Sequence, residues 1–463
     1  MAYQYQTRKF KIVMKRICLI LTLLIIFCFQ DIYSQDKKWT LEECVNYALA
    51  NNIGLHRKQL QTENAEVDLL KSKLDLLPNL NSATDAYIQY GRSIEPVSNT
   101  VTRQQNFTNR YAVTSDMNLF NGLALINTVS ANKYMVKAGL EAEKIERNRL
   151  VIDIMGQFYM VIYDRGLEDA SKMQLDLSDK QLFRVKKMVQ TGKEAVSKQY
   201  ELESQFSTDR LAYTVAHNTT SEAITTLKHL LQLEPGEPFD VQLPDLNSLL
   251  VMDETFRTDS VYALAAAVLP RLKEIEFELA AAKKQVAVAK GYVIPSLYVG
   301  GMVFTGYYTL LNDANAPTDS FNKQLNENFG QQLTATLRIP IFNNYAKARN
   351  IKIAKLKKND TELRLEQEKN DLFTEIETAC LNYNRGRDEF SAATSNYSFN
   401  TTSFNAVEKK FESGLVDVTD YSVAKTKLFR AETEALRTKL QLVIRKLAIQ
   451  LYSTGEYENL IKQ

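Results

Sequence analysis

The side chains that most often perform chemistry are few in this sequence, and their spacing does not suggest a catalytic site. The three histidines (His56, His217 and His229) share none of the spacings that hold zinc. A GxSxG nucleophile motif, a phosphate-binding loop and a cluster of metal ligands are all absent from the sequence. Carboxylate pairs such as Glu42–Glu43 are typical of solvated helix surfaces. We therefore expect no catalysis, no cofactor and no bound metal.

The cysteines and the net charge exclude further classes of protein. The four cysteines form no CxxC pair, and two of them lie in an apolar N-terminal segment. We do not expect the other two, Cys44 and Cys380, to form a disulfide. The chain has 57 Lys and Arg residues against 55 Asp and Glu, a net charge of +2. Without a basic cluster, this balance argues against binding of nucleic acid.

The N-terminus has the pattern of an export signal. Basic residues precede the apolar run ICLILTLLIIFCF at 17–29, which is too short to span a bilayer but long enough for a signal-peptide core. Met14 is an alternative start to Met1, and cleavage is expected after Ser34. A lipid anchor at Cys28 is disfavoured because no small residues precede it. The sequence therefore predicts a signal peptide at 1–34 and an exported protein without membrane-spanning helices.

Two long stretches without proline predict long helices. No proline occurs between 97 and 234 or after 340, and glycine is sparse there. In the second stretch, apolar or small residues recur every three or four positions, which is typical of a coiled coil. These seam positions are Ile376, Ala379, Tyr383, Gly386, Phe390, Ala393, Tyr397, Asn400, Phe404, Val407 and Phe411. A helix over 344–412 would be roughly 100 Å long, longer than a compact domain can hold.

The same landmarks occur twice in the same order, which indicates an internal duplication. LLPNL at 76–80 matches VIPSL at 293–297, and MNLFNG at 117–122 matches IPIFNN at 339–344. VQTGKEAVSKQYE at 189–201 matches FESGLVDVTDYSV at 411–423. We expect a first repeat at 35–233, a proline-rich linker at 234–256, a second repeat at 257–455 and a tail at 456–463.

Each repeat is predicted to contain three helices and one pair of strands. A helix leads to the proline (43–77 and 257–294), a long helix follows the strands (123–190 and 344–412), and a third helix leads away from the glycine (195–232 and 417–453). Polar and apolar residues alternate in the sections between, as at 332–339. We expect two strands of about ten to twelve residues in each, around polar loops at 91–109 and 310–328, a length that suits tilted membrane strands.

Four strands per chain cannot close a barrel, and an open sheet edge is not tolerated in lipid. Two chains would supply eight strands and leave little room for a pore, whereas three would supply twelve and could leave one. Membrane strands would therefore require oligomerisation.

The signal, the duplicated landmarks, the paired strands and the long helices together resemble the TolC family of outer-membrane efflux channels. The resemblance covers nearly all of the chain after the signal. It implies an α+β membrane protein: a long α-helical coiled-coil barrel continuous with a twelve-stranded transmembrane β-barrel in a homotrimer. It also implies a passive conduit of a tripartite efflux or type I secretion system. A periplasmic adaptor protein and an inner-membrane pump or ATPase would be its partners, and outer-membrane lipid its surroundings.

By the same resemblance, the turns at Gly192 and Gly414 form the periplasmic tip, where Leu415 would contact the adaptor. Asp420 matches a family aspartate that lines the entrance, whereas Val416 and Val423 stand where the family has an arginine and a second aspartate. Lys198 occupies the position of Asp420 in the first repeat. A latch between Asp420 and Lys198 of neighbouring hairpins is therefore one hypothesis, and two solvated surface charges are the other.

Two other functions compete with the channel. A periplasmic coiled-coil adaptor would share the export signal and the helical hairpins, but would not need the duplicated amphipathic strands. An exported hydrolase with a helical stalk would need a nucleophile and histidines that the sequence does not offer. The cargo cannot be read from these residues, since drugs, metals, siderophores and proteins could use a similar conduit.

Overall fold

The computed structural model describes residues 38–94, 99, 101–234, 236–244, 255–311 and 319–455. The predicted signal peptide, the predicted tail and part of the predicted linker lie outside the described residues. Within the described part, no helix is both long and apolar enough to cross a membrane. The elements of the first half are β1 Lys38–Trp39, α1 Leu41–Asn51, α2 Ile53–Leu74, β2 Asn81–Ile94, β3 Val101–Phe120, α3 Ala124–Gln190, α4 Val196–Leu231 and β4 Asp240–Val241. Those of the second half are α5 Thr258–Val268, α6 Pro270–Gly291, β5 Ser296–Leu310, α7 Phe321–Glu327, β6 Gly330–Arg338, α8 Ala346–Glu412 and α9 Val418–Thr454.

The two halves have nearly the same backbone, displaced by a constant number of residues. The long helices α3 and α8 contain 67 residues each, about 100 Å of helix. Both begin after two residues with positive φ: Gly122 and Leu123 in the first half, Asn344 and Tyr345 in the second. Every one of these pairs is separated by 222 residues, the offset that the sequence landmarks have. The predicted long helices and the helices that follow them are therefore present within one or two residues of their expected bounds.

The predicted first helix of each half is broken, which corrects the sequence analysis. In the first half the break is at Asn52, whose backbone is extended and whose side chain accepts a hydrogen bond from the Leu55 amide at 3.0 Å, capping α2. In the second half the break is at Leu269, because a proline disfavours helical geometry at the residue before it. Pro270 then starts α6. The breaks are 217 residues apart, as are Pro78 and Pro295, so the duplication includes them.

The strands of both halves form a single antiparallel sheet in the order β2-β3-β5-β6. Its central pairing joins the halves, from Asn106 opposite Leu310 to Phe120 opposite Leu297. The first pair is longer than predicted: β2 and β3 contain 14 and 20 residues, and they stay paired as far as Ile94 opposite Val101. Much of the predicted loop at 91–109 is therefore strand, because residues with mixed polarity still fit a ladder that is solvated on one side.

The second predicted loop, 310–328, contains a short helix that the alternation pattern did not indicate. β6 pairs with β5 only as far as Phe304, opposite Gly330, and α7 covers the edge of β5 beyond that point. The Gln324 side chain accepts from the Tyr308 amide at 2.9 Å and donates to its carbonyl at 3.0 Å. Asn328 donates to the Gly306 carbonyl at 2.8 Å. Side-chain amides therefore replace the missing strand partner for two alternate residues.

The helices pack through the predicted seam. Every seam position of α8 is buried or half-buried, and Tyr383 and Ile376 belong to a core shared with α5, α6 and α9. A separate core lies around Phe158 and joins α1, α3, α4 and α9. Within the predicted linker at 234–256, β4 pairs in parallel with β1, and the Arg165 guanidinium forms an ion pair with Asp240. Both described cysteines, Cys44 and Cys380, are free and buried.

Candidate functional site

The two helical hairpins end in turns of the same geometry. Gly192 has φ +71° and Gly414 has φ +74°. In the first turn the Gly192 amide donates to the Val189 carbonyl at 3.0 Å and the next amide reaches Met188 at 2.8 Å. Gly414 and Leu415 make the matching pair of bonds to Phe411 and Lys410, at 3.1 and 2.8 Å. Both turns are Schellman motifs, in which glycine adopts the left-handed conformation without a penalty from a Cβ atom.

The residues after the two turns differ in how they begin the next helix. In the second hairpin the Asp417 side chain accepts from the Asp420 amide at 2.8 Å and caps α9. In the first hairpin Ala195 holds the equivalent position and offers no side-chain cap to α4. Leu415 is 75 % exposed, so the second turn presents a large apolar side chain to its surroundings. Nothing lies within 4 Å of the position that a Cβ atom would take on either turn glycine.

The two residues of the predicted latch do not meet within one chain. The Lys198 ammonium lies 3.4 Å from the Glu194 carboxylate, one helical turn away. Asp420 is exposed and forms no ion pair among the described residues. A contact between Asp420 and Lys198 of neighbouring chains therefore stays a prediction.

Behind the turns, both hairpins share an aromatic core. Tyr421 of α9 stacks on Phe411 of α8 with ring centroids 4.5 Å apart, and it also contacts Phe404 at 5.7 Å. Leu182 of α3 and Leu202 of α4 belong to the same cluster. Burial raises the pKa of Tyr421 to about 12. The Tyr421 hydroxyl therefore stays neutral at physiological pH. The cluster as a whole packs α9 against the first hairpin.

A buried ion pair lies next to this core, and the sequence analysis missed it. Lys425 of α9 is 2 % exposed. Its ammonium donates to the Asp209 carboxylate at 2.8 Å, the Ser178 hydroxyl at 2.7 Å and the Gln174 carbonyl at 2.7 Å. Gln205 donates to the other oxygen of Asp209 at 2.9 Å. All three ammonium protons and both carboxylate oxygens are satisfied, so α3, α4 and α9 are joined at one point.

The electrostatics of this pair follow from its burial. Desolvation lowers the pKa of the Lys425 ammonium, and the hydrogen bond and charge of Asp209 oppose the shift. A sequence signal for the pair did exist. Lys425 lies four residues after Tyr421 and three before Leu428, on the seam side of α9. Asp209 is one heptad from each of Leu202 and Ala216, both buried. Opposite charges at two seam positions indicate a buried pair.

At the other end of the helices, the sheet exposes an apolar face and two open edges. Leu333 is 89 % exposed and Leu337 is 62 % exposed on β6, and both are on the face that the alternation pattern predicted to be apolar. β2 and β6 pair on one side only. Where water is excluded, the unpaired backbone N–H and C=O groups of a strand edge need hydrogen-bonding partners.

The possible metal-binding side chains of the described residues do not cluster. In the ranges that the structure covers, no group of three or more His, Cys, Asp or Glu side chains is placed to hold a metal ion. His217 lies 2.7 Å from Glu168 at an exposed position on neighbouring helices.

One family model matches a segment in the second half of the chain. Residues 261–454 match the family model described as "Outer membrane efflux protein". No curated protein matches the sequence.

Solved structures match nearly the whole chain, at low sequence identity. The Campylobacter jejuni CmeC outer membrane channel is 16 % identical, with a TM-score of 0.76 over 93 % of this chain and 90 % of its own. CusC, described as forming a transmembrane channel, is 17 % identical, with a TM-score of 0.75 over 91 % and 95 %. The outer membrane protein VceC of Vibrio cholerae is 12 % identical, with a TM-score of 0.73 over 90 % and 97 %. The chain therefore has the fold of these proteins, including the sheet and both hairpins.

Proposed function

Residues 261–454 of this chain belong to the outer membrane efflux protein family, and we propose that the whole chain is the outer-membrane channel of a tripartite efflux or type I secretion system. It acts as a passive conduit from the periplasm to the exterior. The family that the landmarks predicted is confirmed. Energy comes from an inner-membrane pump or ATPase, and a periplasmic adaptor joins that partner to the tip.

One observation carries this proposal: a single sheet with an exposed apolar face stands at one end of helices about 100 Å long. The sheet combines strands from both halves, so each duplicated half contributes two strands to it. An apolar face of this kind suits the hydrocarbon region of a bilayer. Water-soluble helices then extend from the membrane across the periplasm, and the tip faces the adaptor.

The open edges support a homotrimer. Three four-stranded sheets supply twelve strands, and pairing β6 of one copy with β2 of the next removes every edge. The helical part offers a second surface for other copies. α2 carries an exposed apolar stripe at heptad spacing, formed by Ile53, Leu60, Val67 and Leu74. Such a stripe is typical of a helix that packs against another helix.

The tip is the proposed gate and docking point. The turns at Gly192 and Gly414, with the exposed Leu415, contact the adaptor, and an outward rotation of the tip helices opens the conduit. Asp420 and Lys198 of neighbouring copies form a latch in the closed state. A periplasmic adaptor, the competing function, does not account for a sheet with an exposed apolar face.

Native mass and single-channel conductance test the proposal together. The protein without residues 1–34 would be extracted from outer membranes in detergent, sized and inserted into a planar bilayer. A trimer of small conductance supports a conduit that is closed at the tip. A soluble monomer that does not conduct would overturn it, since the strands would then not lie in a membrane.

A further inference from the structure

The offset of 222 residues makes it possible to compare the surroundings of the two hairpins position by position. In the first hairpin, α3 and α4 form a groove that α9 fills, with Lys425 at its centre. The groove residues Gln174, Ser178, Gln205 and Asp209 correspond to Asn396, Asn400, Lys427 and Ala431 of the second hairpin. The inserted residue Lys425 corresponds to Glu203 of α4.

The second hairpin has the same groove, and no described residue fills it. α8 and α9 form a cavity of about 600 Å³ lined by Asn396, Asn400, Lys427, Arg430 and Ala431, with Thr433 and Glu434 at its side. Ser178 is buried at 3 % exposure, whereas its counterpart Asn400 is only half-buried. Gln181 is buried and its counterpart Ser403 is exposed. The second groove therefore has the surface of a helix junction that lacks its third helix.

The helix that would fill it is exposed on its matching face. Val418 of α9 is 5 % exposed in the first junction, and its counterpart Val196 of α4 is 51 % exposed. Within one chain, α4 packs on α3 and meets α9 through Leu202 and Asp209, whereas the face that carries Val196 stays exposed. The duplicated geometry therefore leaves one groove and one helix face unused, and two copies of the chain can bring them together.

The charges of the unused groove and the unused helix are complementary. Lys427 and Arg430 form no ion pair with the described part of the chain, and the carboxylate of Glu434 is already bound by Arg437. Glu203 receives bonds from Lys186 at 3.0 Å and Gln199 at 3.1 Å, both to Oε1. Its Oε2 has no partner among the residues that the structure describes. A carboxylate oxygen with free lone pairs would thus meet a groove with two free cations.

We propose that α4 of a neighbouring copy occupies the groove between α8 and α9, with its Glu203 facing Lys427 and Arg430. This junction repeats the one that α9 makes within the chain, with the charges exchanged: a cation enters an acidic groove in one, and an anion enters a basic groove in the other. Alternation of the two junctions closes a ring of hairpins. The inference rests on the proposed trimer, and it specifies which surfaces join its copies near the tip.

A disulfide between copies tests the contact directly. The double variant Glu203→Cys/Asn400→Cys is oxidised in intact outer membranes and run on a non-reducing gel, where covalent trimers are expected. Both described native cysteines are buried, which limits unwanted linkage. The matched control is Glu201→Cys/Asn400→Cys, since Glu201 lies on the opposite face of α4 and should give no trimers.

Charge exchange provides the second test. Glu203→Lys should lower the trimer fraction at a fixed detergent concentration roughly ten-fold, because three junctions are weakened together. Combining it with Lys427→Glu and Arg430→Glu should restore most of the trimer. Glu201→Lys, of equal charge change, should leave the trimer fraction as it is. A general loss of folding should be worse in the combined variant, because it carries more substitutions than the single one. Recovery of the trimer would therefore be due to the restored contact.

The outcomes separate this inference from the proposed function. If the unaltered protein is a conducting trimer but the 203–400 pair gives no linked species, the inference is overturned and the channel stands. Free reaction of Asn400→Cys with a water-soluble maleimide in that trimer would overturn it too, because the groove would then be open to solvent or to the adaptor. If the unaltered protein is a monomer that does not conduct, the proposed function itself fails.

Discussion

The long helices α3 and α8 have the same length and the same offset, yet their surroundings differ. α3 buries side chains from its first residue, Ala124, to Val185 near its end. It is enclosed by α2, α4, α6 and α9. α8 buries nothing before Thr361, 15 residues into the helix, and packs mainly on α6 and α9. Duplication thus reproduced the backbone but not the packing around it, and more of α8 than of α3 is exposed.

The largest effect should come from the buried Lys425–Asp209 ion pair of the first junction. Lys425→Ala leaves the Asp209 carboxylate buried without its cation, and we expect a loss of about 3–5 kcal/mol in the free energy of unfolding. Urea unfolding followed by circular dichroism in detergent measures it. Thr426→Ala, at the next position on the exposed side of α9, should change the free energy by less than about 0.5 kcal/mol.

A double variant tests whether the ion pair adds net stability to the fold or only favours one packing arrangement of the helices. Lys425→Met/Asp209→Leu removes both charges and keeps apolar volume, so it should recover most of the stability lost in Lys425→Ala. If Lys425→Ala unfolds like the unaltered protein, the pair is not a critical contact of the first junction. The difference between the two repeats would then lie in apolar packing alone.

The sequence predicts the parts of this fold that depend on local rules repeated many times. Proline spacing, the seam of α8 and the two turn glycines place the long helices within one or two residues. The pairing Lys425–Asp209 depends on which helices meet in space, and no single helix reveals that. The break at Leu269 was predictable from Pro270, whereas the break at Asn52 depends on a side-chain cap. Helix α7 was missed because the side-chain amides of Gln324 and Asn328 hold it to the backbone of β5, and it has no periodic pattern of its own.

The second prediction concerns a close backbone approach just before the long helix, where the first repeat has Gly122 and the second has Asn344. Gly122 has φ +64°, and a Cβ atom there would overlap the Gly291 carbonyl oxygen. Gly122→Ala should cost roughly 3 kcal/mol, combining the left-handed backbone with the overlap. Gly192→Ala, with a similar φ but open space around it, should cost only about 1 kcal/mol. Thermal unfolding of both variants separates the two contributions, and equal losses would show that the overlap is relieved elsewhere.

The third prediction uses the unequal helix starts at the tip. Asp417→Ala removes the cap of α9 and should cost about 1 kcal/mol, whereas Ala195→Asp should supply the missing cap of α4 and stabilise by a similar amount. Hydrogen exchange of the amides at 196–199 and 418–421 reports the effect locally. Protection at 196–199 that does not rise in Ala195→Asp would mean that another group already satisfies those amides.

The smallest effect should come from the exposed charges of the proposed latch. An exposed ion pair contributes at most about 1 kcal/mol, so Asp420→Lys should raise the leak conductance of the closed trimer by no more than about five-fold. Glu194→Gln offers the opposite change, because it frees Lys198 from its partner within the chain and should strengthen a contact with Asp420 of the next copy. Leak is expected to fall in this variant and to rise in Asp420→Lys. If neither variant alters the leak, the two charges are solvated independently, and the closed tip depends on the aromatic core around Tyr421.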